Sequence, residues 1–156
     1  LLGTGAPWAM EAFSRAAARH PRRFHAWITF DEGLSHRIEA GSDFFLMPSR
    51  WEPCGLNQMY SMRYGTLPIV RATGGLDDTG INFDEATGSG TCFKFHDLTP
   101  DALVGTVGWA ARIYRENKPA MAGLIRRAME QDFSWDRSAA TYEYYYRLAR
   151  VRRADA

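Results

Sequence analysis

Residues Asp43–Ala72 read DFFLMPSRWEPCGLNQMYSMRYGTLPIVRA, and their order decides the fold. Asp43–Ser49 is a short apolar, aromatic run stopped at Pro48, which predicts a strand. Gly55–Gly65 places Leu56, Met59, Tyr60 and Tyr64 on one side of a helix and stops it with a glycine. Thr66–Ala72 predicts a second strand, with Pro68 marking a strand beginning or a sheet edge. A strand, a short helix and a second strand at this spacing form a parallel crossover unit.

The alternation continues on both sides. Upstream, Leu1–Gly5 reads as a strand end entering a Gly-rich turn. Met10–His20 reads as a helix, Phe24–Phe30 as a strand, and Leu34–Gly41 as a short helix ended by Gly41. Downstream, Thr91–Phe95 is a further short strand. A longer helix follows, capped by Thr99 with Pro100 in its first position. Pro119–Glu130 and the segment from Ser134 onward predict two more helices. Ile81–Gly90 is a polar, Gly-containing loop expected to be a flexible surface insertion. The fold class is therefore α/β, a Rossmann-like parallel sheet with helices on both faces.

The bulk properties bound the function. The chain has 156 residues, 46% of them apolar and 24% charged, with a formal net charge of +1. That is enough for a core and too balanced to favour nucleic acid or a membrane surface. No apolar stretch is long enough to span a bilayer, and nothing at the start reads as a secretory signal. Cys54 and Cys92 lie far apart and share no metal-ligand spacing with His20, His25, His36 or His96, so neither a metal nor a cofactor is expected. A reduced, cytoplasmic setting fits two such cysteines. The chain opens without Met inside a strand-like run, which reads as a fragment lacking an upstream part.

In parallel sheets, ligands sit at the carboxyl ends of the strands. Four loops fall there: Gly3–Gly5, Phe30–Glu32, Pro48–Gly55 and Arg71–Leu76. In the third, Gly55-Leu56 opens a helix whose free N–H groups and dipole suit an anion such as phosphate. Glu52 would repel that phosphate but can accept from two sugar hydroxyls at once. Amides for phosphate beside an acid for sugar suggest a nucleotide-sugar. The alternative is that Glu52 only caps the helix. Thr73-Gly74-Gly75 reads as a second phosphate cradle or as an ordinary strand-to-helix turn. Phe30 is either a stacking surface for a base or a core aromatic. Asp77 and Asp78 face different ways on a helix and do not form a metal or acid–base pair. Phe133, Trp135, Tyr142, Tyr145 and Tyr146 are expected to dock against the rest of the fold or a missing second domain.

The stretch Gly41–Thr79, with Glu-Pro-Cys-Gly-Leu-x-Gln, Tyr-Gly-Thr-x-Pro and Thr-Gly-Gly-Leu, closely resembles the C-terminal half of bacterial glycogen synthases and plant starch synthases (glycosyltransferase family 5). The likeness continues through LTPDALVGTVGWA (98–110) and MEQDFSWDRSAATYEYYYR (129–147). The resemblance implies the GT-B arrangement, two Rossmann-like domains facing across a cleft. Residues 1–130 would be the nucleotide-sugar-binding domain without its first strand and helix. Residues 131–156 would be a C-terminal helix packing toward the missing N-terminal domain.

It also implies transfer of glucose from ADP-glucose, or UDP-glucose in relatives, to the 4-hydroxyl of an α-1,4-glucan with retention and without a metal. By motif, Glu52 resembles the acid that binds the donor glucose, and is the implied catalytic residue. Cys54, Gly55 and Leu56 resemble the segment around the glucose and distal phosphate. Tyr60 occupies the position where wider relatives carry a second Glu, which holds the ribose; Phe30 matches the aromatic position, often Tyr, that packs on adenine, and Thr73, Gly74 and Gly75 match the second loop near glucose and phosphates. The chain departs from the family at Ala72, where many relatives carry Arg, at Gly80, where a β-branched residue is usual, and at Cys92, where Gly is usual. A related glycosyltransferase with another acceptor, or a noncatalytic nucleotide- or glucan-binding module, remains the alternative.

Overall fold

The computed structural model describes residues 1–154 and divides the chain into two compact units, Leu1–Ser42 and Asp43–Ala156. The first unit holds two helices, α1 (Pro7–Arg19) and α2 (Glu32–Ala40). Pro7 opens α1, and Asp31 caps α2 by accepting from the Leu34 N–H at 2.9 Å. The strands expected at Leu1–Gly5 and Phe24–Phe30 are reduced to a single parallel bridge between Leu2 and Trp27. The Gly3 N–H donates to Trp27 and the Trp27 N–H to Leu1. The glycines and Pro7 then turn the chain into α1 before a ladder can extend.

The second unit carries a three-stranded parallel sheet ordered β1-β2-β3, made of β1 (Phe44–Met47), β2 (Leu67–Arg71) and β3 (Phe93–Phe95). Its helices are α3 (Leu56–Tyr64), α4 (Gly75–Thr79), α5 (Pro100–Glu116), α6 (Lys118–Met129) and α7 (Trp135–Ala154). Leu67 and Ile69 on one face of β2 and Pro68 and Val70 on the other are all buried, as expected of a strand covered on both sides. Met62, Leu67, Ile69 and Phe93 pack with Ala110 and Ile113 of α5 and Met121, Leu124 and Ala128 of α6. Phe93 meets the ring of Trp109 edge-on at 4.9 Å between centroids. Thr99 and Pro100 start α5 as the sequence predicts, the Thr99 hydroxyl accepting from Ala102 at 3.2 Å.

Pro68 sits in the central strand, not at an edge, and the reason lies in hydrogen-bond direction. The Leu67 N–H donates to Asp43 beside β1, while the Ala72 N–H donates to Phe95 of β3. Alternation therefore aims the Pro68 nitrogen toward β3, whose pairing begins only at Ile69 opposite Phe93. The missing N–H costs no ladder bond there.

The apolar side of α3 is also reversed. Leu56, Tyr60 and Tyr64 are exposed, while Gln58, Ser61 and Met62 face the interior. The 81–90 loop is held firmly: Phe83 is buried, Glu85 accepts from Trp109 and Arg112 of α5, and Arg127 of α6 donates to the Gly88 and Gly90 carbonyls. The α7 rings do not dock on this chain, with Trp135 83% and Tyr146 68% exposed.

Gly80 and Cys92 touch. A Cβ on Gly80 would lie 2.6 Å from the Cys92 Sγ. Gly80 is extended (φ −102°, ψ 144°), a conformation open to any residue. The thiol therefore occupies the volume that a larger residue at position 80 would fill. Gly80→Ala alone should destabilise the fold by about 1–3 kcal/mol through overpacking. In a Cys92→Ala background the same change should turn stabilising by about 0.4–1 kcal/mol, because only the unfolded-chain entropy term remains. Denaturant titration of the four combinations reads this sign reversal.

Candidate functional site at the carboxyl end of the sheet

The ladder between β1 and β2 runs in register from Phe44 opposite Leu67 to Met47 opposite Val70. Both strands therefore release their loops at the same edge, and the two loops interlock. The Gly75 N–H donates to the Glu52 carbonyl at 3.0 Å. A Cβ on Gly74 would overlap that carbonyl, and one on Gly75 would overlap the Cys54 carbonyl. The glycine pair is thus required by close backbone approach. Of the two readings of this turn, a phosphate cradle or a strand-to-helix turn, the structure bears on the first in one respect: Gly75 is buried and its N–H is already engaged.

Gly55 precedes α3 in the left-handed region (φ 81°), where glycine is favoured. The space beside its Cα is filled by Leu76, whose Cδ2 would lie 2.6 Å from an added Cβ. Glu52 is half-buried, and its Oε1 accepts from the Gly55 N–H at 3.2 Å. This carboxylate braces the turn before the helix and does not bond to the first helical N–H groups. Cys54 and Leu56 are exposed beside it. Thr73 is half-buried, and its carbonyl accepts from Leu76 at 3.1 Å.

Seven expected site residues thus gather in one place: Glu52, Cys54, Gly55, Leu56, Thr73, Gly74 and Gly75. Tyr60 lies further along α3, 42% exposed, in a groove of about 580 Å³ shared with Leu56, Met59, Arg63, Met129 and Phe133. Phe30 belongs to the first unit, where its ring is 87% exposed, so it is not a core aromatic of that unit.

Side chains that the motifs did not single out fix these loops. Arg71, the last residue of β2, donates from Nε to the His96 carbonyl at 3.1 Å and from Nη1 to the Arg50 carbonyl at 2.9 Å. It bridges the loops that follow β1 and β3. Lys94 ties β3 to α4 through the Asp77 carbonyl (2.8 Å) and carboxylate (2.7 Å). That hydrogen bond and the ammonium charge hold the Asp77 carboxyl below its usual range. Among the described residues, no three His, Cys, Asp or Glu side chains group as metal ligands. A strand-terminal Arg or a lysine on an alternating strand carries no distinguishing sequence signal, because each reaches its partner across the sheet.

The two thiols should behave differently. Cys54 is exposed. Cys92 is buried, and burial pushes its thiol up to about 12. A thiol reagent at neutral pH should modify one cysteine in the native protein and the second only on unfolding; Cys54→Ser should remove the native-state reaction. Fast labelling of both would contradict this placement of Cys92.

No protein-family model matches the chain. Glycogen synthase 1 of Geobacter sulfurreducens is 56% identical over 146 residues, covering 94% of this chain and 29% of the relative. Glycogen synthase of Anaeromyxobacter sp. (strain K) is 57% identical over 147 residues, covering 94% and 30%. Among solved structures, the catalytic domain of starch synthase IV from Arabidopsis thaliana, bound to ADP and acarbose, superposes with a TM-score of 0.81 at 34% identity. It covers 92% of this chain and 30% of that one. Sucrose-phosphate synthase from Thermosynechococcus elongatus shares the fold at a TM-score of 0.64 and 22% identity. The chain spans about 30% of the length of the curated relatives it matches. Over nearly all its residues, then, this chain is similar to part of the bacterial glycogen synthases, and it shares its α/β fold with part of a starch synthase catalytic domain.

Proposed function

We propose that this chain is the C-terminal, nucleotide-sugar-binding part of a cytoplasmic retaining glucosyltransferase that extends an α-1,4-glucan from ADP-glucose. The observation that carries this reading is the meeting of Glu52 with the amino end of α3 at one edge of a parallel sheet. One Glu52 oxygen braces Gly55, and the carboxylate keeps acceptor capacity for hydroxyl groups of a bound sugar. The opening N–H groups of α3 and its dipole would favour a diphosphate and stabilise the charge that develops as it departs. Cys54, Gly55 and Leu56 would line the sugar and distal phosphate, with Thr73, Gly74 and Gly75 supporting them from below. Tyr60 would lie toward the ribose, and the exposed Phe30 ring would stack on the base. No metal enters this scheme.

In this reading the rest of the cleft comes from an N-terminal domain of the same polypeptide, against which the exposed α7 aromatics would pack. No helix among the described residues is long and apolar enough to cross a membrane. The chain by itself should not elongate a glucan, because half of the cleft is supplied elsewhere. Elongation of an oligoglucan primer by the chain alone would refute that expectation.

The direct test is calorimetric titration of the full-length polypeptide with ADP-glucose and UDP-glucose, beside its Glu52→Ala variant. ADP-glucose should bind more tightly than UDP-glucose. Loss of a hydrogen bond to a charged group, worth about 1.5–3 kcal/mol, should weaken it by roughly 10- to 150-fold. Absence of binding by either compound would point to a noncatalytic module, and near-normal binding by Glu52→Ala would remove Glu52 from the sugar site.

A further inference from the structure

Gln58 is fully buried on α3, although a buried amide is costly to desolvate. Its Nε2 donates to the Leu76 carbonyl at 3.3 Å and to the Thr79 hydroxyl, both on α4. Its Oε1 is also buried and has no hydrogen-bond partner among the described residues. The donor end therefore accounts for an amide at this position. The Thr79 hydroxyl in turn donates to the Gly75 carbonyl at 2.6 Å. Taken alone, that would be an ordinary bond to the carbonyl four residues back. Here it continues, because the Gly75 N–H donates to the Glu52 carbonyl at 3.0 Å. The path closes on itself: the covalent chain runs from Glu52 through Gly55 to Gln58, and hydrogen bonds lead back through Thr79 and Gly75 to Glu52.

We propose that Gln58 and Thr79 are positioning residues that set the height of the Gly74–Gly75 turn against the Glu52–Cys54 backbone, and so the placement of the Glu52 carboxylate toward the donor sugar. The inference rests on the nucleotide-sugar reading above for its functional consequence, but not for its geometry. Neither side chain needs to touch the substrate. Loosening either link frees Gly75 to shift, and Glu52 shifts with it, because the two backbones are in contact. The consequence is selective: the donor side of the site changes, while the surface that meets a glucan chain does not.

The test uses the full-length protein and four variants: Thr79→Val, Thr79→Ser, Gln58→Met and Ser61→Ala. Ser61 is the stability control, since it is equally buried on α3 and its hydroxyl donates to the Gln58 carbonyl, off the path that runs through Thr79 to Gly75. Thr79→Val keeps the shape and removes the hydroxyl link; Thr79→Ser keeps the link. In Thr79→Val, amide exchange at Gly75 and the KM for ADP-glucose should each rise about five- to tenfold, the worth of one hydrogen bond. The KM for the glucan should not move, and Thr79→Ser should restore both quantities. Gln58→Met should match Thr79→Val, and if it fails to fold the Thr79 pair still decides. A fall in melting temperature like that of Ser61→Ala, with Gly75 exchange and donor KM unchanged, overturns the proposal. If the unmodified protein neither binds nor uses ADP-glucose or UDP-glucose, the functional reading fails. Gly75 exchange in Thr79→Val then decides the positioning claim by itself, faster exchange supporting it and unchanged exchange overturning it.

Discussion

The contact on which the rest of the site depends is between two backbones. Gly75 lies against Cys54 closely enough that no side chain fits between them, and its N–H is spent on Glu52. This closeness follows from the sheet. Neighbouring parallel strands run about 4.8 Å apart, and here β1 and β2 end in register. Their loops leave the same edge side by side. Loops with ordinary side chains would have to splay, whereas two consecutive glycines let the second slide beneath the first. The position of Glu52 is therefore determined by the exit of β2 as much as by its own loop. The same constraint explains why Leu76, just after the glycines, fills the space beside Gly55.

Around that contact, long polar side chains anchor loops by bonding to backbone carbonyls. Arg71 holds the loops after β1 and β3, Lys94 holds α4, and Arg127 holds the 81–90 segment. Each delivers a cationic donor to backbone carbonyls of a loop or of the short helix α4, an efficient way to satisfy them. The carboxyl edge of the sheet is consequently cross-tied by Arg71 and Lys94, while Arg127 holds the segment that leads into the amino end of β3. Exposed ion pairs such as Arg147 with Glu143 add little beside this.

Much of this architecture was legible in the sequence, and the exceptions have physical causes. Local signals were reliable: Thr99-Pro100 starts α5, and Gly55 and Gly65 bound α3. What failed required knowledge of partners. Pro68 reads as an edge residue because a sequence does not show which way its nitrogen points; the register with β3 supplies that. Phe24–Phe30 has strand composition, yet a strand needs a ladder, and only Leu2 bridges to Trp27. The α3 periodicity located a real apolar side but assigned it no direction, and the buried side turns out to be Gln58, Ser61 and Met62. Gly74-Gly75 was ambiguous for a deeper reason. A phosphate cradle and a loop crossing both require the absence of Cβ, so the residues alone could not separate them.

The same geometry bears on the two roles considered for Glu52. Bracing the turn and holding a sugar need not compete. A carboxylate has about four acceptor sites, and the Gly55 N–H uses one on Oε1. That bond fixes the direction of the group without exhausting it. A free carboxylate on a mobile loop would lose rotamer entropy on binding a hydroxyl, whereas one already tied to Gly55 has lost part of it in folding. The helix-end interaction that looked like the plain alternative to a functional role is thus the device that would preorganise it. It also sets a limit on substitution. Asp at this position would keep the charge but shorten the reach by one methylene, so it could not hold Gly55 and reach outward from the same backbone position. The charge is common to both acids, but the bracing distance is not, and it is the bracing distance that ties the carboxylate to the interlocked loops.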